Sequence, residues 1–222
     1  MDKFRTYLDE VVGEETRKKV IRDGEALSTE SSRLEVIEWT RQAMERLDSL
    51  VDDRASRSIL SACACHYPKV SLQEIKAIYS ETKDIDQVHD MIQEQFESFL
   101  KETMRLSEEM FADIVSRGWG TAGIKQGNSI VATKIPKSGH LVEYMNETDP
   151  EIRRQHYCHC PRVREAVNDN LLISSTYCYC GAGFYKGIWE EILQRPVEVE
   201  VLESVLSGGD VCKFAIHLLE GA

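Results

Sequence analysis

The cysteines constrain this chain more than any other feature of its sequence. Seven cysteines occur in 222 residues. Six of them form pairs separated by one residue, and the seventh is alone: Cys63/Cys65, Cys158/Cys160, Cys178/Cys180 and Cys212. Random placement of the same cysteines would give roughly 0.2 such pairs. The pairing therefore indicates that these thiols have a function.

Metal binding is the function that this pattern favours. Residues 1–5 include Asp2, Lys3 and Arg5 and lack the apolar stretch of a secretory signal, so we expect a cytoplasmic protein. Thiols stay reduced in that compartment, and clustered cysteines then indicate metal ligands rather than disulfides. Zinc takes four ligands, which two pairs would supply. Zinc is the expected cofactor, and an iron–sulfur cluster is the less favoured one.

The sequence leaves the ligand set open. All seven cysteines are candidates, and His66, His156 and His159 adjoin the pairs. Two other interpretations remain, namely small buried thiols and redox-active dithiols. We expect the Cys158/Cys160 and Cys178/Cys180 pairs to converge, because each comes just before a predicted helix. The fold decides whether the Cys63/Cys65 pair joins them.

An α+β fold is expected, with a helical region over residues 1–117 and an α+β region over 118–222 that together form one continuous unit. Apolar residues in the first region recur at three- and four-residue steps, as in Ile85, Val88 and Ile92, which is typical of helices with one buried face. Ser71 and Glu74 have the spacing of a capping box.

The second region is expected to contain an antiparallel sheet. Residues 129–135 and 140–144 are predicted to pair as strands, and residues 171–177 to form a buried strand. Helices are predicted to begin at Pro150 and Pro161, since proline is favoured at the first helical position.

A C-terminal β-hairpin is predicted about the turn at Gly208 and Gly209. Its register would place Glu203 opposite Phe214, on the apolar face. A buried carboxylate needs a partner, so Glu203 would be a metal ligand, a proton-transfer group or a residue at the solvent-exposed rim.

Charge limits the classes of partner. The chain has 27 Lys and Arg against 38 Asp and Glu, a formal charge of -11, which disfavours nucleic acid as a partner. No apolar run approaches the roughly 20 residues that a membrane span needs, so no membrane partner is expected. A homodimer stays open.

One local exception is the positive segment, residues 114–142, which contains Arg117, Lys125, Lys134 and Lys137 and no acidic residue. It contains four clustered glycines and would attract an anionic ligand; a solvated surface is the other interpretation. Lys125 and Lys134 are candidate ligand contacts. Tyr179, beside Cys178, and Trp189, in the helix predicted to follow, are two more.

The C-terminal 40 or so residues resemble a known family. Cys178 near a helix start, Gly187-Ile188-Trp189-Glu190, Arg195-Pro196-Val197, an acidic strand and a Gly-Gly-Asp turn before Cys212-Lys213-Phe214 occur in that order. This order is similar to the end of the 4-vinyl reductase-type domain superfamily, and hydrolases of 2-amino-thiazoline-4-carboxylic acid end similarly. The resemblance implies an antiparallel sheet flanked by helices, a cavity for a small molecule and, in several members, a zinc ion near its entrance.

In the zinc-binding members of that superfamily the ligands are a Cys before the helix, a Glu-x-x-Cys on the strand and a Cys after the turn. Cys178 and Cys212 match the first and last positions, whereas Val201 and Ser204 occupy the middle ones. Cys180 and the Cys158/Cys160 pair are candidate replacements.

The resemblance and the paired cysteines together predict a cytoplasmic zinc protein that binds a small anionic organic ligand. The alternative is a metal- or thiol-dependent hydrolase of a small carboxylated heterocycle, with Glu203 or His156 as its base. The sequence does not decide between binding protein and enzyme.

Overall fold

Helices fill the N-terminal half of the chain, and a sheet with further helices follows. The computed structural model describes residues 2–22, 27, 30–168 and 171–218. The α-helices are α1 (Asp2–Val20), α2 (Arg33–Leu50), α3 (Asp53–Ala62), α4 (Gln73–Thr82), α5 (Ile85–Ser98), α6 (Glu108–Ser116), α7 (Leu141–Asn146), α8 (Pro150–Tyr157), α9 (Pro161–Asn168) and α10 (Tyr179–Leu193). The strands are β1 (Ile124–Gln126), β2 (Ser129–Thr133), β3 (Glu198–Glu203) and β4 (Lys213–His217). The α+β prediction is confirmed.

Local polar contacts set several helix starts. A capping box forms at α2, where the Ser32 side chain accepts from the Glu35 N–H and the Glu35 side chain accepts from the Ser32 N–H. The capping box predicted at Ser71 and Glu74 is wrong. A 3-10 turn over Lys69–Leu72 leads directly into α4, so the N–H groups at this start already have backbone acceptors.

The proline-started helices are confirmed. Asp149 caps α8 by accepting from the N–H groups of Glu151 and Ile152, with Pro150 as the first helical residue. Pro161 begins α9. These two helices flank the short linker that contains Cys158 and Cys160.

The sheet is antiparallel with the strand order β1-β2-β4-β3. The strand predicted over residues 129–135 is confirmed as β2, but its partners are β1 and β4. A tight turn at Gly127 and Asn128 joins β1 to β2, and Gly127 has a φ of 61°, which glycine adopts without strain.

Two predicted strands are wrong. Residues 140–144 lie mainly in α7, because the buried Leu141 and Tyr144 are three residues apart and share one helix face. Residues 171–177 form no strand and end in a 3-10 turn, Ser175–Cys178. Leu172 in that segment is 87% exposed, so the apolar run is not buried on both faces.

The C-terminal strand pair is confirmed, but its predicted register is wrong. Glu203 pairs with Lys213 after a bulge, and Val201 is the residue opposite Phe214. A nine-residue connection over 204–212, which includes the 3-10 turn Val205–Ser207, replaces the predicted two-residue turn. The Glu203 carboxylate accepts from the N–H groups of Asp210 and Val211, so this side chain organises the connection.

Buried apolar residues form two clusters. The sheet core lies between the sheet, α10 and the helices around them, and includes Trp189 and Phe214. The helical core lies among α1, α2, α3 and α9, and includes Leu47 and Val163. Cys158 packs against both clusters, so the paired cysteines lie where the two cores meet. None of the described helices has the length and apolar character to cross a membrane.

The packing of α10 on α3 provides a stability test. A Cβ added at Gly183 would collide with the backbone carbonyl of Ser61 in α3, whereas one added at Gly187 would have no atom within 4 Å. Gly183→Ala should lower the free energy of unfolding by about 1–3 kcal/mol through overpacking. Gly187→Ala, one turn later on the exposed side, should raise it by about 0.5–1 kcal/mol through helix propensity. Urea unfolding of both variants measures the difference, and equal effects would contradict this packing.

Candidate metal and ligand site

Four separate segments bring the cysteines to one junction. Cys63 ends α3 and Cys65 lies just after it. Cys158 and Cys160 lie between α8 and α9, and Cys178 and Cys180 lie at the start of α10. Cys212 immediately precedes β4. All seven are free thiols.

The closest association is between Cys178 and Cys212. The Cys212 thiol donates a hydrogen bond to the Cys178 sulfur, and this bond lowers the pKa of Cys178 to about 7. The Ser204 hydroxyl and the Leu206 backbone N–H donate to the same sulfur, while burial opposes the shift. The pKa of Cys212 is raised by the same bond and by burial. Of the two thiols, Cys178 is therefore the one that loses its proton more readily.

Cys158 is the third member of this group. Burial, with smaller contributions from the Cys160 and Cys178 thiols, raises its pKa to about 11, and the Cys160 backbone and Lys134 oppose this shift. Cys158 in turn contributes to raising the pKa of Cys212. We call Cys158, Cys178 and Cys212 the inner thiols.

The other four cysteines, the outer thiols, lie on the side of the helical core. Burial raises the pKa of Cys180 to about 11, with smaller contributions from Cys160 and Cys65. The pKa of Cys63 is raised to about 11 by burial and by Cys180. The Cys160 sulfur is 3.3 Å from the Tyr177 hydroxyl. Cys178 and Cys180 fall into different groups because side chains two positions apart on a helix point about 200° apart around its axis.

Across the described parts of the chain, no group of three or more His, Cys, Asp or Glu side chains is arranged to hold a metal ion. The three histidines beside the pairs have other partners. His66 Nε2 is 2.8 Å from the Lys3 ammonium, and His159 Nε2 is 2.8 Å from the Ile135 carbonyl. His156 lies against His140, with ring centroids 5.7 Å apart. Burial and the charge of Lys134 lower the pKa of His159 to about 4.

Tyr157 fixes Cys212 beside the inner thiols. The Lys134 N–H donates to the Cys212 carbonyl at 2.9 Å, which extends the β2–β4 ladder by one bond. The reciprocal bond of an antiparallel pair would join the Cys212 N–H to the Lys134 carbonyl. Instead, the Tyr157 hydroxyl accepts from the Cys212 N–H at 2.8 Å and donates to the Lys134 carbonyl. A buried tyrosine thus occupies one rung of the ladder.

Two of the four Lys and Arg side chains in the positive segment form ion pairs, and a third faces the thiols. Lys125 pairs with Asp86, and Arg117 pairs with Asp113 at 2.8 Å. The Lys134 ammonium lies 5.9 Å from the centre of the Phe184 ring, and its charge lowers the pKa of three cysteines: Cys158, Cys178 and Cys180. Lys134 is therefore the cation of this segment that faces the thiols.

The other predicted site residues lie apart from the inner thiols or within a core. Glu203 is half-exposed and bonded to loop N–H groups, rather than placed on the apolar face. Trp189 is fully buried in the sheet core. Tyr179 lines an open groove of about 800 Å³ beside α3, α10 and β3, with the Arg57 guanidinium 5.1 Å from its ring centre.

A cavity of about 330 Å³ adjoins the outer thiols. Five helices surround this helical cavity: the starts of α1, α9 and α10, the middle of α2 and the end of α3. Cys63 and Cys180 form part of its wall, together with Lys3, Trp39, Arg162 and Tyr177. The resemblance implied a small-molecule cavity, and the residues that line this one come from helices and turns of both regions of the chain.

Sequence reasoning singled out Cys63 and Cys180 but missed the other residues that line this cavity. It also missed the role of Tyr157. Met44, which also lines the cavity, belongs to an apolar helix pattern that only predicted core packing. Tyr157 adjoins Cys158 in the sequence, and this adjacency is the one signal that could have identified it.

The comparisons with known proteins identify one family match. A family model described as "Family of unknown function (DUF6144)" matches residues 125–221. This match covers less than half of the chain and runs from β1 through β4, so it contains the inner thiols and Tyr157 but not Cys63, Cys65 or Trp39. No curated protein and no solved structure matches the chain.

Removal of the Tyr157 hydroxyl tests its place in the ladder. Tyr157→Phe leaves the Cys212 N–H and the Lys134 carbonyl without their partner and should lower the free energy of unfolding by about 1–3 kcal/mol. Hydrogen exchange at the Cys212 amide should also accelerate. Tyr185→Phe is a matched control, because that buried hydroxyl donates only to the Gly120 carbonyl in the described structure. An unchanged Cys212 exchange rate in Tyr157→Phe would contradict the assignment.

Proposed function

We propose that the inner thiols hold a zinc ion and that the protein binds a small anionic organic ligand in the adjoining helical cavity. The observation that carries the proposal is the convergence of cysteines from four distant segments at the junction of the two cores. Random burial of thiols would not be expected to bring Cys158, Cys178 and Cys212 from three separate segments close enough to shift one another's pKa.

The chemistry of the donors fits zinc. Cys178 and Cys212 are in direct contact, and Cys158 lies close enough to affect the pKa of Cys212. Thiolate is a preferred zinc ligand in structural sites, and Cys160 is available as a fourth donor from the same linker as Cys158. These thiols are not arranged as a coordination shell among the described residues, so binding would require their side chains to move. A bound zinc ion would join β4, α10 and the α8–α9 linker and stabilise their arrangement.

The resemblance to the 4-vinyl reductase-type superfamily favours the same ligands. Two of the four ligand positions that it implies are cysteines here, Cys178 and Cys212. Ser204 and Val201 occupy the other two positions, and the Ser204 hydroxyl bonds to the Cys178 sulfur. We infer that Cys158, supplied by the α8–α9 linker, replaces a missing donor.

A thiol-dependent hydrolase of a small carboxylated heterocycle is the second candidate. Its supporting observation is the set of donors to the Cys178 sulfur, from Cys212, Ser204 and the Leu206 N–H, which would activate a nucleophile. The proposed bases are less well placed, because Glu203 accepts loop N–H groups and His156 lies against His140. Binding is therefore favoured over hydrolysis.

Metal analysis of protein purified without oxygen and without added metal tests the proposal. We expect about one zinc ion per chain and no visible absorption, because zinc has no redox or d-electron transitions. A broad brown absorbance would indicate an iron–sulfur cluster instead. Metal-free, folded protein that does not take up zinc would overturn the proposal.

Substitution of the inner thiols identifies the ligands. Cys178→Ser combined with Cys212→Ser should weaken zinc binding by more than about 100-fold, since changes around ligands alone cost 10–100-fold. Cys65→Ser is the control, because Cys65 is exposed and is not an inner thiol. The zinc affinity of this variant should stay within about threefold of wild type. Competition with a chromophoric chelator measures both. Equal affinities would place the metal elsewhere.

A further inference from the structure

The helical cavity has the size and lining of a site for a small organic molecule. Its volume of about 330 Å³ equals that of about eleven liquid waters, which suits a ligand of about ten non-hydrogen atoms. Apolar side chains form much of its wall, including Phe4, Trp39, Met44 and Leu60. Flat aromatic surfaces in this wall favour a planar ring in the ligand.

Trp39 contributes an aromatic surface to this wall rather than a hydrogen-bond donor. The residue is 7% exposed, and its indole nitrogen has almost no accessible surface. A molecule in the cavity would therefore contact the carbon atoms of the ring.

Charges at the cavity favour an anion. Among the described residues that line it, Lys3 and Arg162 are cationic and Asp2 is anionic, a net charge of +1 (two minus one) in a chain of net charge -11. The Lys3 ammonium has the Ala64 carbonyl at 2.9 Å and the His66 ring at 2.8 Å. An ammonium has three donors, so one remains for a ligand.

We propose that the helical cavity binds a small aryl carboxylate. The carboxylate lies at Lys3 and Arg162, and the ring packs against the apolar wall that includes Trp39. This inference rests on the proposed function in one respect, the use of this cavity as the ligand site, and it adds the chemical class of the ligand and the residues that select it.

Calorimetric titration of the purified protein with benzoate and benzamide tests the need for a negative charge. The two probes share a planar ring and nearly the same size, so we expect benzoate to bind at least about tenfold more tightly at low salt, as charge-assisted hydrogen bonds are the stronger ones. The preference should shrink at 0.2 M salt through screening. Equal affinities for the two probes would overturn the inference.

Three variants locate the benzoate. Trp39→Leu removes the aromatic surface and should weaken binding about fivefold, and Lys3→Gln and Arg162→Gln should each weaken it about tenfold. Lys18→Gln changes an exposed cation of α1 and should have less than a twofold effect. If Arg162→Gln does not fold, the other two variants decide. Benzoate affinity that none of them changes would place the ligand elsewhere and overturn the inference.

Zinc content measured in the same samples separates the two proposals. Zinc-loaded protein that shows no preference for benzoate would overturn the aryl carboxylate inference and leave the zinc site standing. Protein that takes up no zinc but binds benzoate with the expected variant effects would overturn the zinc site and support the inference.

Discussion

The hydroxyl of Tyr157 determines how the candidate site is assembled. It replaces one backbone bond between β2 and β4, with the Cys212 N–H and the Lys134 carbonyl as its two partners. The tyrosine is the last residue of α8, so the same contact anchors the linker that begins with Cys158. One buried side chain therefore sets the relative positions of two inner thiols and of the lysine that faces them.

The site also depends on the boundary between the two cores. The sheet core contains Cys212, and the helical core is packed against Cys160, while Cys158 contacts both. A metal ion held by the inner thiols at this boundary would stabilise both cores at once. A ligand in the helical cavity would instead lie beside two outer thiols, Cys63 and Cys180.

Local sequence signals predicted the parts of this arrangement that short-range physics controls. Pro150 and Pro161 marked helix starts correctly because proline fixes its own backbone angle. Gly208 and Gly209 suggested a tight hairpin, but the Glu203 carboxylate binds N–H groups in the connection and lengthens it. Residues that line the helical cavity lie on separate helices and meet only through the tertiary fold, so no spacing in the sequence could indicate them.

The central claim is that cysteine sulfur from the junction of the two cores holds the metal. X-ray absorption fine structure at the zinc edge of the purified protein measures the ligand atoms directly. The account predicts a shell of three or four sulfur atoms at about 2.3 Å. A shell made only of nitrogen or oxygen at about 2.0–2.2 Å would contradict it.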